Sequence, residues 1–517
     1  MADRVHKSLL NTKVNLVFFV ATLFISFFSR KIFLDCLGAE FIGLSGTLGN
    51  ILGLLNLAEF GIGTCISYFL FKPLQSADRK SISEIMSVFG YVYRCIGIGI
   101  AVVAILISLF FPFIFKQADI GLGITYFAFY SFLISSLIGY FINYKQILLT
   151  ADQKNYVVVA YFQTGGIIKS LIQIALAWYS HNVFLWVTIE LLFGFINCWI
   201  LNWKIRQVYP WLTTEVKRGK ELMSKYPDIF LKTKQIFVHR IKDFLLNKSD
   251  EILVFIFVSL KMVAYYGNYL LIINKIILFM NVVSDGMGAG VGNLVAEGNE
   301  KNTLKVFWEL TAIRFYVTGI VCFALFYFTD ALIEVWLGSD YLLDNWILYL
   351  LLINLFIMFI RGVVQMYIHS YGLYADTWSA WVEVILNLVI TIVCAMQWGI
   401  LGIVLGKVIS SGLVALFWKP YYLYRDGFHL SCWNYWKGMF PYYALFFLSL
   451  IAFYPLVNEW ILPQIDNFLS LLIHAAWLTG VYAVLYLIIM YICTIGTRHF
   501  VHRVPILSHW LNSKNRI

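Results

Sequence analysis

The sequence predicts an all-α, polytopic membrane protein with about 14 transmembrane helices. Of its 517 residues, 61% are hydrophobic and only 13% are charged. Soluble domains average roughly 45–50% apolar and about 25% charged residues. Apolar runs of about 20 residues, each long enough to cross about 30 Å of hydrocarbon, recur from end to end. The 44 Phe, 32 Tyr and 17 Trp exceed the needs of one core, whereas lipid-facing helices can place them. The chain is therefore not expected to be a soluble enzyme.

Several other function classes are disfavoured. The net charge of +10 would suit nucleic acid, but the basic residues lie in short gaps between apolar runs, so no nucleic-acid partner is expected. The eight Cys show no C-x-x-C spacing and mostly lie in apolar stretches, where they read as small apolar residues. Because H-E-x-x-H, G-x-S-x-G and Walker sequences are absent, no metal, cofactor or catalytic residue is predicted.

The first lobe, residues 1–203, is expected to contain six helices. A basic N-terminal segment leads into an apolar run without a small-residue cleavage site, so the first helix is predicted to be retained rather than removed as a signal peptide. Apolar stretches predict helices at Val14 to Leu34, Leu44 to Phe71, Ile85 to Phe115, Ile124 to Leu149, Tyr156 to Tyr179 and Val183 to Trp203.

Residues 204–243 are rich in Lys and Arg and are read as a cytoplasmic linker. A second six-helix lobe is expected at 244–430, and 431–517 should hold two extra transmembrane helices and a basic cytoplasmic tail. These helices are predicted at Phe244 to Leu260, Val263 to Val295, Leu304 to Phe328, Trp346 to His369, Trp378 to Met396, Leu401 to Tyr424, Phe440 to Val457 and Leu469 to Ile495.

The distribution of loop charges predicts the orientation in the membrane. If the N-terminus is cytoplasmic, the cytoplasmic gaps hold most basic loop residues, among them Lys72, Arg79, Lys80, Lys154, Lys301, Lys305, Arg425, Arg498 and Arg503. The opposite gaps hold mainly acids, such as Asp35, Glu40, Asp340, Asp344, Glu459 and Asp466. By the positive-inside rule, both termini are expected in the cytoplasm.

A weak internal repeat predicts two pseudo-symmetric lobes. The run from Gly43 through Glu59 and Gly61 to the charged gap at 77–80 has a counterpart from Gly267 through Asp285 to the charged gap at 297–301. Six predicted helices separate the copies, and an even number preserves orientation. The repeat is therefore parallel, as in many transporters whose substrate site lies at the repeat interface near mid-membrane.

Charged residues inside the predicted helices are candidates for function, because each costs a few kcal/mol or more unless it faces a cavity or a partner. Bases outnumber acids and come from both halves. The bases are Arg30, Lys31, Arg94, Lys145, Lys169, Lys248, Lys275, Arg314, Arg361 and Lys407, and the acids are Glu59, Glu190, Asp250, Glu251, Asp285, Glu309 and Glu383.

Some of these charges have simpler explanations. Arg30, Lys31, Arg94 and Lys145 lie close enough to helix ends to snorkel toward headgroups. Lys248 and Glu251 are three residues apart on one helix face, so they can neutralise each other. Lys275, Arg314 and Arg361 instead have apolar neighbours and no acid at i±3 or i±4, which favours a cavity.

Two short polar stripes support that interpretation. Glu383 and Asn387 share a helix face, as do Arg361 and Gln365, and such stripes suit a water-filled path or a buried helix contact. A cavity with surplus positive charge indicates an anionic substrate, because Arg is suited to bidentate contacts with phosphate oxygens.

Several motifs resemble the Wzx-type polysaccharide flippases of the multidrug/oligosaccharidyl-lipid/polysaccharide (MOP) exporter superfamily. They are Arg30 with Leu37-Gly38, Gly43-Leu44-Ser45-Gly46, Leu55 to Thr64, Tyr68 to Leu74, Asn247 to Asp250, Tyr266 to Tyr269, Glu383 with Asn387, Gly399 to Gly402 and Leu405-Gly406. The resemblance covers most of the chain in order. The sequence departs from the family at Lys248 and Glu251, which flank Asp250 where the pattern has uncharged residues.

The resemblance implies a V-shaped, alternating-access transporter in the bacterial plasma membrane. Its implied substrate is an undecaprenyl-diphosphate-linked oligosaccharide, moved from the cytoplasmic to the outer leaflet for surface polysaccharide assembly. Membrane lipids, and the polysaccharide polymerase machinery, would be its partners. Substrate-binding candidates are Arg30, Lys31, Lys275, Arg314, Arg361, Glu383 and Asn387, and the candidates for ion coupling are Asp250 and Glu59.

Two other functions stay open. A cation-coupled multidrug exporter of the same superfamily would be expected to carry a dominant acidic site, whereas the predicted interior is net basic. A membrane glycan ligase or polymerase would need catalytic carboxylates or a large extracytoplasmic loop, and the predicted loops are short.

Overall fold

The computed structural model describes residues 2–56, 62–116, 118, 120–152, 154–226, 249–285, 288–373 and 375–503. Within these ranges the chain consists of helices and turns without strands, which confirms the predicted all-α fold class. The chain forms two compact units, residues 1–267 and 268–517. Glu59 and Lys248 lie outside the described residues. The lobe boundaries expected at 203, 243 and 430 stay predictions.

In the described ranges, the first unit is a set of helices. They are α1 (Ala2–Leu37), α2 (Ala39–Leu55), α3 (Ile62–Gln75), α4 (Arg79–Ser108), α5 (Phe111–Ile114), α6 (Leu122–Phe141), α7 (Gln146–Ala151), α8 (Asn155–Ser180), α9 (Val183–Val208), α10 (Gly219–Met223) and α11 at 249–257. The stretch predicted as one helix from Leu44 to Phe71 therefore falls in two, α2 and α3. The helix predicted at Ile124 to Leu149 ends at Phe141 and is followed by the short α7.

The part of the basic stretch that the structure describes packs on α4. The Glu215 amide donates to Ser87 Oγ (3.0 Å), while Lys225 Nζ and Tyr226 OH donate to Glu84 Oε2 (2.5 and 2.9 Å). The hydrogen bond to Glu84 raises the pKa of the Lys225 amine, because the carboxylate stabilises the charged form of the amine. Residues up to 226 therefore belong structurally to the first unit.

The second unit begins within α12 (Leu260–Asp285). Its other helices are α13 (Gly288–Ala296), α14 (Glu300–Leu337), α15 (Asn345–Ser370), α16 (Thr377–Gly412), α17 (Lys419–Tyr422), α18 (Cys432–Leu456), α19 (Phe468–Cys493) and α20 (Ile495–Arg503). Gly338 ends α14 with φ 108°, a left-handed conformation that favours glycine. Asp344 then caps α15 by accepting the Trp346 amide (2.8 Å).

Helices α18 and α19 pack on α14. Phe323 of α14 stacks on Tyr482 of α19, with ring centroids 3.9 Å apart. Tyr327 of α14 donates its hydroxyl to the Leu450 carbonyl of α18. The core of the second unit thus surrounds α14.

The long helix α16 is a hairpin of two antiparallel arms. Gly399 has φ 55° and ψ −127°, which breaks the helix. Contacts then pair residues on either side of it: a Cβ on Gly402 would lie 2.1 Å from the Cys394 carbonyl oxygen, and one on Gly406 would lie 2.5 Å from Thr391 Cα. Two glycines thus let the arms touch backbone to backbone. The prediction of separate helices at 378–396 and 401–424 is confirmed.

Eleven helices in the described ranges are long and apolar enough to cross a membrane, and Ala39–Leu55 is a shorter apolar helix. One of the eleven segments, Trp378–Gly427, contains the hairpin. The chain is therefore a multi-pass membrane protein, while the total of 14 spans stays a prediction.

Candidate functional site

The second unit brings two of the predicted arginines to neighbouring helices. Arg314 lies on α14 and is only 9% exposed, and Arg361 lies on α15. The Arg314 guanidinium packs against Gly362, where a Cβ would lie 3.3 Å from its Cζ. Because Gly362 has no side chain, α15 leaves room for this guanidinium at the position that follows Arg361 in the chain.

The first arm of the hairpin supplies the partner of Arg361. Glu383 is buried, and its Oε1 lies 3.2 Å from Arg361 Nη1. The side chain of Glu383 is 5% exposed, whereas that of Arg361 is 37% exposed. The pair is thus asymmetric, with the carboxylate enclosed by protein and part of the guanidinium still accessible.

Asn387 lies one turn beyond Glu383 on the same face and is also buried. Its Nδ2 donates to Ser410 Oγ on the second arm, at 3.2 Å. The polar stripe predicted on this helix is therefore real, and Asn387 uses it to join the two arms. In contrast, Gln365 bonds His369 on its own helix, with 2.9 Å between the side-chain nitrogens.

We call Arg314, Arg361, Glu383 and Asn387 the arginine cluster. It carries two positive charges and one negative charge. Charged groups within apolar membrane-spanning helices are retained where they meet a partner or a polar ligand. An anion with several oxygens suits this arrangement, because a guanidinium offers its donors in a planar fork.

Lys275 is a half-buried residue of α12 in the same unit. Among the described residues it makes no hydrogen bond or ion pair. Its position within an apolar span agrees with the reasoning from sequence, but the structure does not join it to the arginine cluster by a contact.

Arg30 and Lys31 lie in the first unit, on α1. The half-buried Arg30 donates from Nη2 to the Ala264 carbonyl of α12, at 2.9 Å. A Cβ on Gly267 would lie 3.0 Å from the same nitrogen. Lys31 is exposed on α1. Arg30 therefore takes part in a contact between α1 and α12, whereas the Lys31 side chain is accessible.

Asp250 and Glu251 form an acidic pair in α11. Asp250 is buried and accepts a long hydrogen bond from Tyr266 OH, at 3.4 Å. Glu251 Oε2 accepts from Asn50 Nδ2 of α2 at 2.8 Å. The sequence predicted Lys248 as the partner of Glu251 and did not reveal Asn50, which is 201 residues away. An Asn in an apolar helix was the available signal.

The comparisons with known proteins concern the fold. No family model and no curated protein matches the chain. Among solved structures, it is similar to the lipid II flippase MurJ in an inward closed conformation, with a TM-score of 0.64, 15% identity, and coverage of 92% of this chain and 99% of the other. It is also similar to an inward-facing MATE-family multidrug resistance transporter of the MOP superfamily, with a TM-score of 0.57, 15% identity, and coverage of 77% and 93%.

These likenesses define the class by fold. The chain has the helical fold shared by MurJ and MATE transporters. The likeness extends over nearly the whole length of both solved structures. At 15% identity the likeness does not extend to substrate or residue roles.

Proposed function

We propose that this protein is a Wzx-type flippase of the MOP superfamily. It moves an undecaprenyl-diphosphate-linked oligosaccharide from the cytoplasmic to the outer leaflet by alternating access, for surface polysaccharide biosynthesis. The observation that carries the proposal is the arginine cluster, in which the Arg361–Glu383 ion pair and the buried Arg314 guanidinium lie on neighbouring apolar helices. We expect Arg314 and Arg361 to meet the diphosphate.

The physical argument concerns the positive charge of the two guanidinium groups and the geometry of their hydrogen-bond donors. A buried guanidinium loses its hydrogen bonds to water. The oxygens of a phosphate group can replace them by accepting two directed, charge-assisted hydrogen bonds from the guanidinium. The accessible 37% of the Arg361 side chain is the part that a ligand can reach without first breaking the pair with Glu383. The fold likeness to a lipid II flippase supports a lipid-linked substrate.

The other candidates take secondary roles in this proposal. Arg30 and Lys31 in the first unit, and Lys275 in the second, are each proposed to contact the substrate. Asp250 and Glu59 are proposed for ion coupling. Glu383 would hold the Arg361 guanidinium in place, and Glu383 and Asn387 would contact polar parts of the substrate.

The test is flipping in proteoliposomes that contain a fluorescent undecaprenyl-diphosphate oligosaccharide. Arg314→Gln keeps a hydrogen-bonding side chain but removes the charge, and we expect it to lower the initial rate by about tenfold or more, as for a lost charge-assisted contact. Arg425→Gln is the matched control, because Arg425 is exposed and outside the cluster. A flipping rate unchanged by Arg314→Gln, with normal protein level, refutes the role of the cluster.

The same liposomes separate the runner-up function. A multidrug exporter would accumulate a cationic dye under an ion gradient and would leave the lipid-linked oligosaccharide in place. Dye transport without flipping would replace the proposed function by that one.

A further inference from the structure

The second unit contains a cleft of about 680 Å³ that the proposed transport mechanism does not use. It lies where the end of α14, the start of α15 and the end of α18 meet. Its lining includes three carboxylates, from Asp330, Glu334 and Asp466. A ligand of one to three sugar rings falls within the volume range of ordinary ligand sites, roughly 300–1,000 Å³.

The cleft lies at the opposite end of α14 from Glu300. Asp330 follows Arg314 by 16 residues along the helix, which corresponds to a separation of about 24 Å. With the orientation expected from the loop charges, this end is extracytoplasmic. Trp346 and Trp460, both 66% exposed, flank the lining segments, and such Trp residues belong at headgroup level. The cleft is thus at the membrane surface and distinct from the arginine cluster.

Asp330 and Glu334 lie one turn apart on α14, and Asp466 comes from the segment that precedes α19. Among the described residues, no three His, Cys, Asp or Glu side chains are close enough together to hold a metal ion. Asp330 also accepts the Tyr269 hydroxyl at 2.8 Å, which fixes its orientation. The three acceptors therefore suit a larger ligand that presents several donors.

Aromatic rings and amides complete the lining. Tyr349 stacks with Phe326, with centroids 5.1 Å apart and an interplanar angle of 23°. Tyr454, which is 51% exposed, and the amides of Asn345 and Asn458 also line the cleft. Ring faces pack on the C–H faces of sugars, and carboxylates and amides bond their hydroxyl groups.

The charge of the cleft determines which kinds of saccharide, acidic, neutral or amino-containing, it can bind. No Lys or Arg is among its described lining residues, so it is net negative. It repels phosphate and uronic acids and attracts ammonium groups. We infer that this cleft binds a neutral or amino-containing saccharide and disfavours acidic ones. The inference rests on the proposed function in taking that saccharide to be the glycan of the transported lipid.

The test measures binding to the purified full chain in nanodiscs, without transport. Three trisaccharide probes of similar size are compared by titration calorimetry: chitotriose, which carries amines, its neutral N-acetylated form, and acidic trigalacturonate. We expect chitotriose to bind most tightly, the neutral form next, and trigalacturonate at least about tenfold more weakly than chitotriose. Equal binding of all three, or binding of none below about 10 mM, overturns the inference.

Variants then locate the binding. Glu334→Gln and Asp466→Asn are exposed, conservative changes, and each should weaken chitotriose binding by about fivefold or more, with a smaller effect on the neutral probe. Tyr349→Ala should weaken both probes. Glu459→Gln is the matched control, because this exposed acid lies near Asn458 but does not line the cleft. Unchanged chitotriose binding in the two acid variants refutes the site.

The two proposals fail separately. Flipping by the wild-type protein without trisaccharide binding removes the cleft inference and leaves the flippase. Trisaccharide binding with the predicted preference, but without flipping, keeps the cleft and removes the proposed function.

Discussion

The ion pair between Arg361 and Glu383 should respond unequally to removal of its two members. Arg361→Ala leaves the Glu383 carboxylate, 5% exposed, without its guanidinium partner at 3.2 Å. Removing one member of a buried pair costs about 3–5 kcal/mol, because a buried charge is left uncompensated. Since the Arg361 side chain is 37% exposed, solvent screens part of the interaction, and we expect a loss of about 2–3 kcal/mol.

Glu383→Gln should be milder. The amide oxygen can still accept from Arg361, and the guanidinium can turn toward solvent, so we expect a loss of about 1 kcal/mol. In the double variant Arg361→Ala/Glu383→Gln the uncompensated carboxylate of the pair is gone, and stability should recover by about 1–2 kcal/mol relative to Arg361→Ala.

The assay is thermal unfolding in detergent, followed by intrinsic Trp fluorescence. For a unit of about 250 residues, 1 kcal/mol corresponds to roughly 2–4 °C, so Arg361→Ala should lower the melting temperature by about 5–10 °C. Flipping should be lost in the single Arg361 variant and in the double variant alike. If Glu383→Gln is as destabilising as Arg361→Ala, or if the two losses simply add, the reasoning about the buried carboxylate is wrong.

Two further outcomes concern packing and a second ion pair. Gly402→Ala places a Cβ 2.1 Å from a backbone carbonyl and should cost about 1–3 kcal/mol by forcing the hairpin arms apart, whereas Gly480→Ala, with open space around it, should not lower the melting temperature. Asp376→Ala removes the buried partner of Lys419 (Nζ–Oδ2 2.6 Å) and should lower the melting temperature by about 5–10 °C. Asp426→Ala, in an exposed pair, should leave it nearly unchanged; a drop equal to that of Asp376→Ala contradicts the burial argument.

The sequence was sufficient for the fold class because lipid imposes long apolar helices that can be read from composition. It also separated the arms of α16, since Gly399 to Gly402 interrupts the apolar run. Helix ends were harder. The helix predicted to run to Leu149 ends at Phe141, and the turn at Asn143–Lys145 was not recognised because it lies within a largely apolar run.

The sequence predicted which residues belong to the candidate site, but it did not predict which of them contact each other. Arg361 and Glu383 were assigned to separate stripes, and their contact joins two helices through a loop whose path the sequence does not specify. The Glu251 contact to Asn50 has the same origin. The cleft was missed because Asp466 was read only as a loop acid that sets orientation. Convergence of three helix ends is a property of the tertiary fold.

The α16 hairpin reduces the number of parts that can move independently. Its arms touch at Gly402 and Gly406 without intervening side chains, so neither arm can slide or rotate without lifting backbone off backbone. Glu383 and Asn387 on the first arm and Ser410 on the second are therefore expected to move together as one rigid body. A large displacement of this rigid body relative to α15 would break the Arg361–Glu383 contact. Under the proposed function, a diphosphate that competes with Glu383 for the guanidinium would favour that displacement.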